Sequence, residues 1–342
     1  MTDEIEISVT GRLGRIALNR PRAINALNLE MIEAISAALT GWRDAPDISM
    51  VLFTGNGERG FCSGGDVRAA RSHILDGHPE RADTYFATEY AMNALIAGYP
   101  KPLVALTHGI VMGGGIGIAG HCRYRITQAG ARFAMPEAAI GFFSDVGANA
   151  ILAKAPLNRA LLFLMSGASV GAADAVALGL ADAAVSPDTA AGLPEALAAA
   201  AASADPERTI VALMEAASID AGGTPFCTGA DLLPAEAVDS AAAFIAQAAM
   251  ERTQIETVAM LQTRSPTALT AIFHSHLAAR RLMDVDAVLA MDLRLASVMA
   301  RLPDFAEGVR AVLVDKDQAP RWSPNVLEAV DAEPIRRAIG AA

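Results

Sequence analysis

Three short segments hold side chains or unhindered backbone amides whose types and spacing could do chemistry. The first is Met135-Pro136-Glu137, within a stretch from Phe133 to Phe143 whose neighbours are mostly apolar. A carboxylate in such surroundings loses hydration, and its pKa rises toward neutrality. A general acid or base working near pH 7 needs that property. The plain alternative is a glutamate facing solvent on a loop. Ser144-Asp145 follows with a second carboxyl, which could serve the same chemistry or simply cap the next helix.

The second segment is Gly60-Phe61-Cys62-Ser63-Gly64-Gly65-Asp66. Small residues after a strand leave backbone N–H groups free to point at a ligand, and a helix N-terminus adds partial positive charge. The same composition also makes an ordinary turn. It is not a P-loop, because no Lys-Ser or Lys-Thr follows a G-x-x-x-x-G. It is not a nucleophile elbow either, since G-x-S-x-G would require glycine where Phe61 stands.

The third segment, Gly113 to Gly120, formally contains G-x-G-x-x-G at Gly115, Gly117 and Gly120. A dinucleotide site also needs an acid closing the following strand, and that strand ends Ile126-Thr127-Gln128. The glycines could instead offer one helix-terminal N–H to an oxyanion, or serve close helix–strand packing. The histidines suggest no metal: His274 and His276 face different sides of a helix, and no His–Glu–His spacing occurs.

The elements that must position these segments follow from pattern. Ile5, Ile7 and Val9 alternate, Thr10–Gly14 turns the chain, and Arg15–Asn19 returns as a hairpin. Asn28 caps a helix carrying Ile32, Ile35, Leu39 and Trp42 at helical spacing. Met50–Thr54, Leu103–Leu106 and Arg123–Thr127 read as strands, and Ala82–Ala97, Asp145–Lys154, Arg159–Met165 and Gly171–Leu178 as helices. This alternation predicts an α/β domain over residues 1–187. Over residues 188–342 strand signals nearly vanish. Glu195–Ala202, Pro206–Ser218, Glu236–Ala249, Gln254–Leu261, Thr267–Leu282 and Val285–Arg301 all read as helices.

Composition narrows the function. The 342 residues are 53% hydrophobic and 19% charged, which excludes disorder for most of the chain. A net charge of −11 argues against nucleic acid and against a basic membrane-surface helix. The three cysteines, Cys62, Cys122 and Cys227, are widely spaced without C-x-x-C. That excludes a disulfide framework and a zinc ribbon and fits a reducing, cytoplasmic setting. The acidic start MTDEIEISV predicts no signal or transit peptide. The most apolar window, Leu103–Gly120, holds Thr107, His108 and six glycines, so it reads as a buried strand and turn rather than a membrane span.

Taken in order, Asn19-Arg20-Pro21, Asn25-Ala26-Leu27, Phe61–Asp66, Pro100-Lys101-Pro102, Gly109–Gly117 and Met135-Pro136-Glu137 resemble the crotonase (enoyl-CoA hydratase/isomerase) superfamily. The sequence is most similar to its 3-hydroxyisobutyryl-CoA hydrolase branch, from about Ile5 to Val330. The run His108–Gly115, Phe133–Glu137 with Ser144–Gly147, Ser265-Pro266-Thr267 and Glu307–Asp317 carry that likeness. The resemblance implies a ββα spiral core with a C-terminal all-helical region. It also implies an acyl-CoA thioester substrate, with CoA part of the substrate and no cofactor.

Further implications concern single residues. The thioester oxygen would lie between the amides of Ser63 and Gly114, beside Gly113. The loop Gly64-Gly65-Asp66 would run along CoA. Glu137 would be the catalytic glutamate, Asp145 the hydrolase branch's acid, and Glu89 a substrate contact. Hydration of an enoyl thioester in this superfamily uses two glutamates, and Gly117 stands where the first would be. The resemblance therefore implies hydrolysis, of 3-hydroxyisobutyryl-CoA in valine breakdown, over hydratase or isomerase activity. It allows a homo-oligomer without fixing one. The branch usually has Pro where Ser144 stands and more glycine where Ala148-Asn149-Ala150 stand, which bears on the acyl preference.

Overall fold

The computed structural model describes residues 3–233, 238–250 and 255–340. They form two compact units interleaved along the chain. Unit one comprises the chain to Gly65, Ala91–Phe133 and Val170–Thr224. Unit two comprises Asp66–Tyr90, Ala134–Ser169 and the chain from Pro225. The compact units therefore do not divide at residue 187, as the shift in composition predicts.

Among the described residues there are ten strands, all in unit one but for the last residue of β8: β1 (Ile5–Thr10), β2 (Leu13–Leu18), β3 (Met50–Gly55), β4 (Gly60–Cys62), β5 (Leu103–Thr107), β6 (Ile110–Met112), β7 (Tyr124–Gln128), β8 (Arg132–Ala134), β9 (Val170–Gly171) and β10 (Ala183–Val185). The larger sheet runs β1-β2-β3-β5-β7-β10. The β1–β2 hairpin is antiparallel, and every later pairing in that sheet is parallel. Central β3 and β5 read as apolar runs rather than alternations because parallel strands are covered on both faces. A smaller sheet runs β4-β6-β8-β9.

The helices Pro187–Ala201 and Pro206–Ala217 lay Leu193, Leu197 and Ile210 onto Leu13, Leu52, Val104 and Ile126 of the larger sheet. The composition shift predicts that these helices begin a separate region. They complete the sheet's core instead, because its apolar face must be covered. Asn28 caps the helix Leu29–Arg43 as predicted, its side chain accepting the Met31 N–H at 2.9 Å.

Among the described residues of unit two, helices predominate and no strand follows Val185. The helix Pro266–Leu282 is apolar on nearly every side and forms the middle of this unit's core. Ser265 caps it, accepting the Ala268 N–H at 3.0 Å. Phe86, Phe143 and Phe305 surround Phe142, with ring centroids 5.2, 4.9 and 5.3 Å away. The helix expected over Asp145–Lys154 is shorter. Asp145-Val146-Gly147 forms a turn, followed by an α-turn Ala148–Ile151 and a 3-10 turn Leu152–Lys154. The expected helices Glu236–Ala249 and Gln254–Leu261 begin outside the described residues and are seen as Ala241–Met250 and Ile255–Thr263.

Candidate active site

Unit two gathers acids. Glu137 opens the 3-10 turn Glu137–Ile140, which Gly141 closes in the left-handed region (φ 69°). Its side chain is buried, only 8% exposed, and Oε2 has no hydrogen-bond partner. Burial, then the neighbouring charge of Asp145, then Glu89 hold this carboxyl well above the ordinary glutamate range. The solvent-facing alternative is therefore excluded.

Asp145 does not cap the helix that follows; Gly147 holds that position, and no side chain caps it. The Tyr90 hydroxyl instead donates to Asp145 Oδ2 at 2.6 Å. Burial lifts Asp145 to about 6, although that bond pulls the other way. Glu89 precedes Tyr90 on the helix Pro79–Ala97. Its Oε1 is buried and unbonded, and burial followed by the Asp145 charge raises it to about 8.

A fourth acid escapes a sequence reading. Asp292, in the helix Val285–Met299, is fully buried. Its Oδ2 accepts the Gly147 N–H at 2.9 Å, while Oδ1 has no partner. Burial again keeps the carboxyl well above its usual range. The turn between these acids is strained. Val146, a β-branched residue, sits at φ 52°, a conformation that costs roughly 1–2 kcal/mol.

Neutral groups hold the near side of this turn. Asn149 Nδ2 donates to the Ser144 carbonyl at 2.9 Å, which leaves Asn149 Oδ1 to accept from His276 Nδ1 at 3.1 Å. Burial pushes His276 down to about 3, so its ring is neutral across the physiological range.

These shifts fix the sign of a pH effect. Glu89 unfolded loses its proton near 4.5 and folded near 8. Its contribution to stability is thus complete below 4.5 and is lost as pH rises through 8. The lowered histidines, near 6.5 when unfolded, are mostly neutral in both states above pH 7, and their opposing slope fades across the range. The urea midpoint is therefore expected to fall between pH 7 and 8.5, and Glu89→Gln to flatten that fall. A wild-type midpoint that is flat or rising over this range rules the assignment out.

Unit one gathers amides. Asn25, fully buried, accepts from Arg20 N at 2.8 Å and donates to the carbonyls of Asn56, Gly60 and Phe61 at 3.0, 3.2 and 2.9 Å. Leu27 N donates to Gly64 O at 2.9 Å. The segment from Asn25 to Leu27 thus stitches down the loop from Gly60 to Gly65. Gly64 adopts φ 111°, which residues with a Cβ avoid, and a Cβ there would lie 3.7 Å from Gly114 N. The glycines after Gly113 also serve packing, because a Cβ on Gly115 would meet Cys62 O at 2.7 Å.

One expected role needs correction. Ser63 N donates to Ile24 O at 2.9 Å, and its hydroxyl bonds Ala23 O at 3.1 Å. A committed amide cannot also receive an oxyanion. The N–H groups of Gly65, on the same loop, and Gly114 have no acceptor among the described residues. Gly113 precedes Gly114 at the start of the helix Gly114–Ala119, and Asp66 stands at the N-cap of the helix Val67–Leu75. Among the described residues no group of three His, Cys, Asp or Glu could hold a metal ion, and no helix is long and apolar enough to cross a membrane.

Comparison with known proteins agrees with this geometry. The enoyl-CoA hydratase/isomerase family description matches residues 13–339. A "3-hydroxyisobutyryl-CoA hydrolase, mitochondrial" from Xenopus tropicalis is 35% identical over 335 residues, covering 96% of this chain and 86% of its own. Among solved structures, an enoyl-CoA hydratase from Rhodobacter sphaeroides 2.4.1 is similar at a TM-score of 0.88 and 32% identity, over 98% of this chain and 97% of that one. A carnitinyl-CoA dehydratase from Mycobacterium thermoresistibile is similar at a TM-score of 0.87 and 32% identity, over 99% and 96%. By motif, architecture and full-length similarity, the chain belongs to the enoyl-CoA hydratase/isomerase, or crotonase, family.

Proposed function

We propose that this enzyme hydrolyses a short, branched β-hydroxyacyl-CoA thioester, with 3-hydroxyisobutyryl-CoA as the substrate. One observation carries the reading. Glu137 is a buried carboxyl with an unbonded oxygen in one cluster with Asp145, while the position of a second hydratase glutamate is Gly117. One proton-transfer group of that kind suits addition of water at a carbonyl better than hydration of a double bond. The hydrolase name of the Xenopus relative supports the same choice.

In this reading the amides of Gly114 and Gly65 take the thioester oxygen as it becomes an oxyanion. Glu137, once ionised, either removes a proton from the attacking water or attacks the carbonyl itself. The C–S bond then breaks. CoA leaves as the thiol, taking up one proton; where water attacked directly the acyl group leaves as the acid, and where Glu137 attacked, water next hydrolyses the acyl-Glu137 anhydride, which releases the acid and restores the carboxylate. Asp145, held by Tyr90, binds the substrate's hydroxyl, and Glu89 lines the acyl end. Water, one acid and two amides suffice, so the step asks for no metal or organic cofactor. With this acyl group the step belongs to valine breakdown. Three buried cysteines, none in a disulfide, favour a reducing compartment, and we place the enzyme in the cytoplasm.

The test is thiol release from 3-hydroxyisobutyryl-CoA, run beside hydration of crotonyl-CoA. The expected result is turnover of the first at least 100-fold faster than the second, since loss of one proton-transfer group costs on the order of 10²–10⁴ in rate. Preferred hydration of crotonyl-CoA would assign a hydratase instead. Tight binding of CoA esters without turnover would assign a carrier.

A further inference from the structure

We propose that Asp292 is a positioning residue: by accepting the Gly147 amide it holds the turn that aims the Asp145 carboxylate. The inference rests on the hydrolase reading, in which Asp145 binds the acyl hydroxyl. Its grounds are geometric.

Asp145 reaches Tyr90 from a turn that the backbone does not favour. Val146 at φ 52° and Gly147 at φ 71° follow it directly. Within the turn, Ala148 N returns to Asp145 O at 2.9 Å. The Gly147 N–H then needs an acceptor, and Asp292 Oδ2 supplies it at 2.9 Å from a separate helix. The upstream side is held by a different device, the Ser144 carbonyl bonded to Asn149, which His276 orients. Asp145 is thereby fixed from both sides. Ser144 and Asn149 are positions where this sequence departs from the hydrolase branch it resembles, so the upstream clamp belongs to this chain's own variant of the turn.

Asp292 is poorly explained as packing. It lies fully buried in the middle of an apolar helix face, between Val288, Leu289, Met291 and Leu295. A buried acid with one unbonded oxygen is costly, and an apolar residue of like volume is usually at least as stable. Among the described residues its one hydrogen bond is to the Gly147 amide. The groups facing it are Asp145, whose charge acts on it, and Tyr90, on which its own charge acts. The position therefore trades local stability for the geometry of the Asp145 turn.

The test compares Asp292→Asn, which keeps an oxygen acceptor for the Gly147 amide, with Asp292→Leu, which fills the space without one. In thiol release, Asp292→Leu is expected to lower kcat/KM about 100-fold, the size of effect that a misplaced substrate-orienting group produces. Asp292→Asn should stay within about fivefold of wild type. The double variant Asp145→Asn/Asp292→Leu should be no slower than Asp145→Asn alone, because Asp292 acts through Asp145. Losses that multiply in the double variant, or an Asn variant as poor as the Leu variant, overturn the proposal. Should Asp292→Leu not fold, Asp292→Ser, too short to reach the amide, takes its place.

Hydrogen exchange at Gly147 separates failure here from failure of the hydrolase reading, because it needs no substrate. Faster exchange in the Leu variant but not in the Asn variant supports the clamp even if wild type releases no thiol. Unchanged exchange in both overturns it.

Discussion

Glu137→Gln is expected to lower thiol release from 3-hydroxyisobutyryl-CoA by about 10³-fold, while KM changes little. The side chains are nearly the same shape, so binding should survive. What disappears is the only group in the reading able to take the water's proton or attack the carbonyl, and such groups contribute on the order of 10²–10⁴ in rate. The wild-type carboxyl is buried, carries an unbonded Oε2 and is held well above the ordinary range by burial and by Asp145. Burial thus favours the protonated form, whereas the proposed reaction uses the ionised one. The wild-type rate should consequently climb with pH above the ordinary glutamate range, and the residual rate of the Gln variant should not. Stability should not fall, because the amide replaces a buried carboxyl that forms no ion pair among the described residues. A Gln variant within tenfold of wild type would remove Glu137 from the mechanism.

The contrast with Asp145 sharpens this assignment. Asp145 is bonded by Tyr90 and lifted only to about 6, so it ionises before Glu89, which is raised to about 8, while burial holds Glu137 well above its ordinary range. Two neighbouring carboxyls with separated proton affinities divide the roles of anion and proton-transfer group. Among the described residues no salt bridge involves Glu89, Glu137, Asp145 or Asp292. Repulsion is therefore relieved by retained protons rather than by a cation.

The sequence reveals some of this plainly, for identifiable reasons. The β1–β2 hairpin, the cap at Asn28 and the strands β3, β5 and β7 have local causes: alternation, a side-chain acceptor, and short apolar runs bounded by glycine or proline. Glu137 is legible because its apolar neighbours in sequence are also its neighbours in space. Asp292 is not, because nothing local distinguishes it from a solvated aspartate on a helix; its partner Gly147 is 145 positions away. The commitment of the Ser63 amide is equally nonlocal, since its acceptor Ile24 lies on another segment. The short strands β8, β9 and β10 carry two or three residues each, too few for a period to register. The boundary expected at residue 187 misleads because composition reports secondary structure, whereas compact units follow burial. The first two helices after 187 cover a sheet built from strands between Ile5 and Val185.

Gly141→Ala is expected to destabilise the protein by about 2–5 kcal/mol, and to lower activity more than tenfold at temperatures where the variant remains folded. Two costs combine. The residue holds φ 69°, where a Cβ costs roughly 1–2 kcal/mol. A Cβ there would also lie 2.1 Å from Asp304 O and 2.9 Å from Phe305 N, both backbone atoms, and overpacking of this kind costs roughly 1–3 kcal/mol. The opposing backbone cannot withdraw cheaply. Asp304 Oδ2 accepts from Ser265 Oγ at 2.6 Å and Oδ1 from Ser323 N at 2.7 Å. Ser265 N in turn donates to Ala138 O at 3.2 Å, within the Glu137 turn itself. Whichever side yields, the displacement returns to the Glu137 carboxyl. Gly179→Ala is the matched control, because Gly179 holds φ 78° with nothing within 4 Å of its added Cβ. That variant should lose only the backbone share, roughly 1–2 kcal/mol, and keep its activity. Equal losses at the two sites in denaturant titration would show that the approach of Asp304 to Gly141 does not restrain the Glu137 turn.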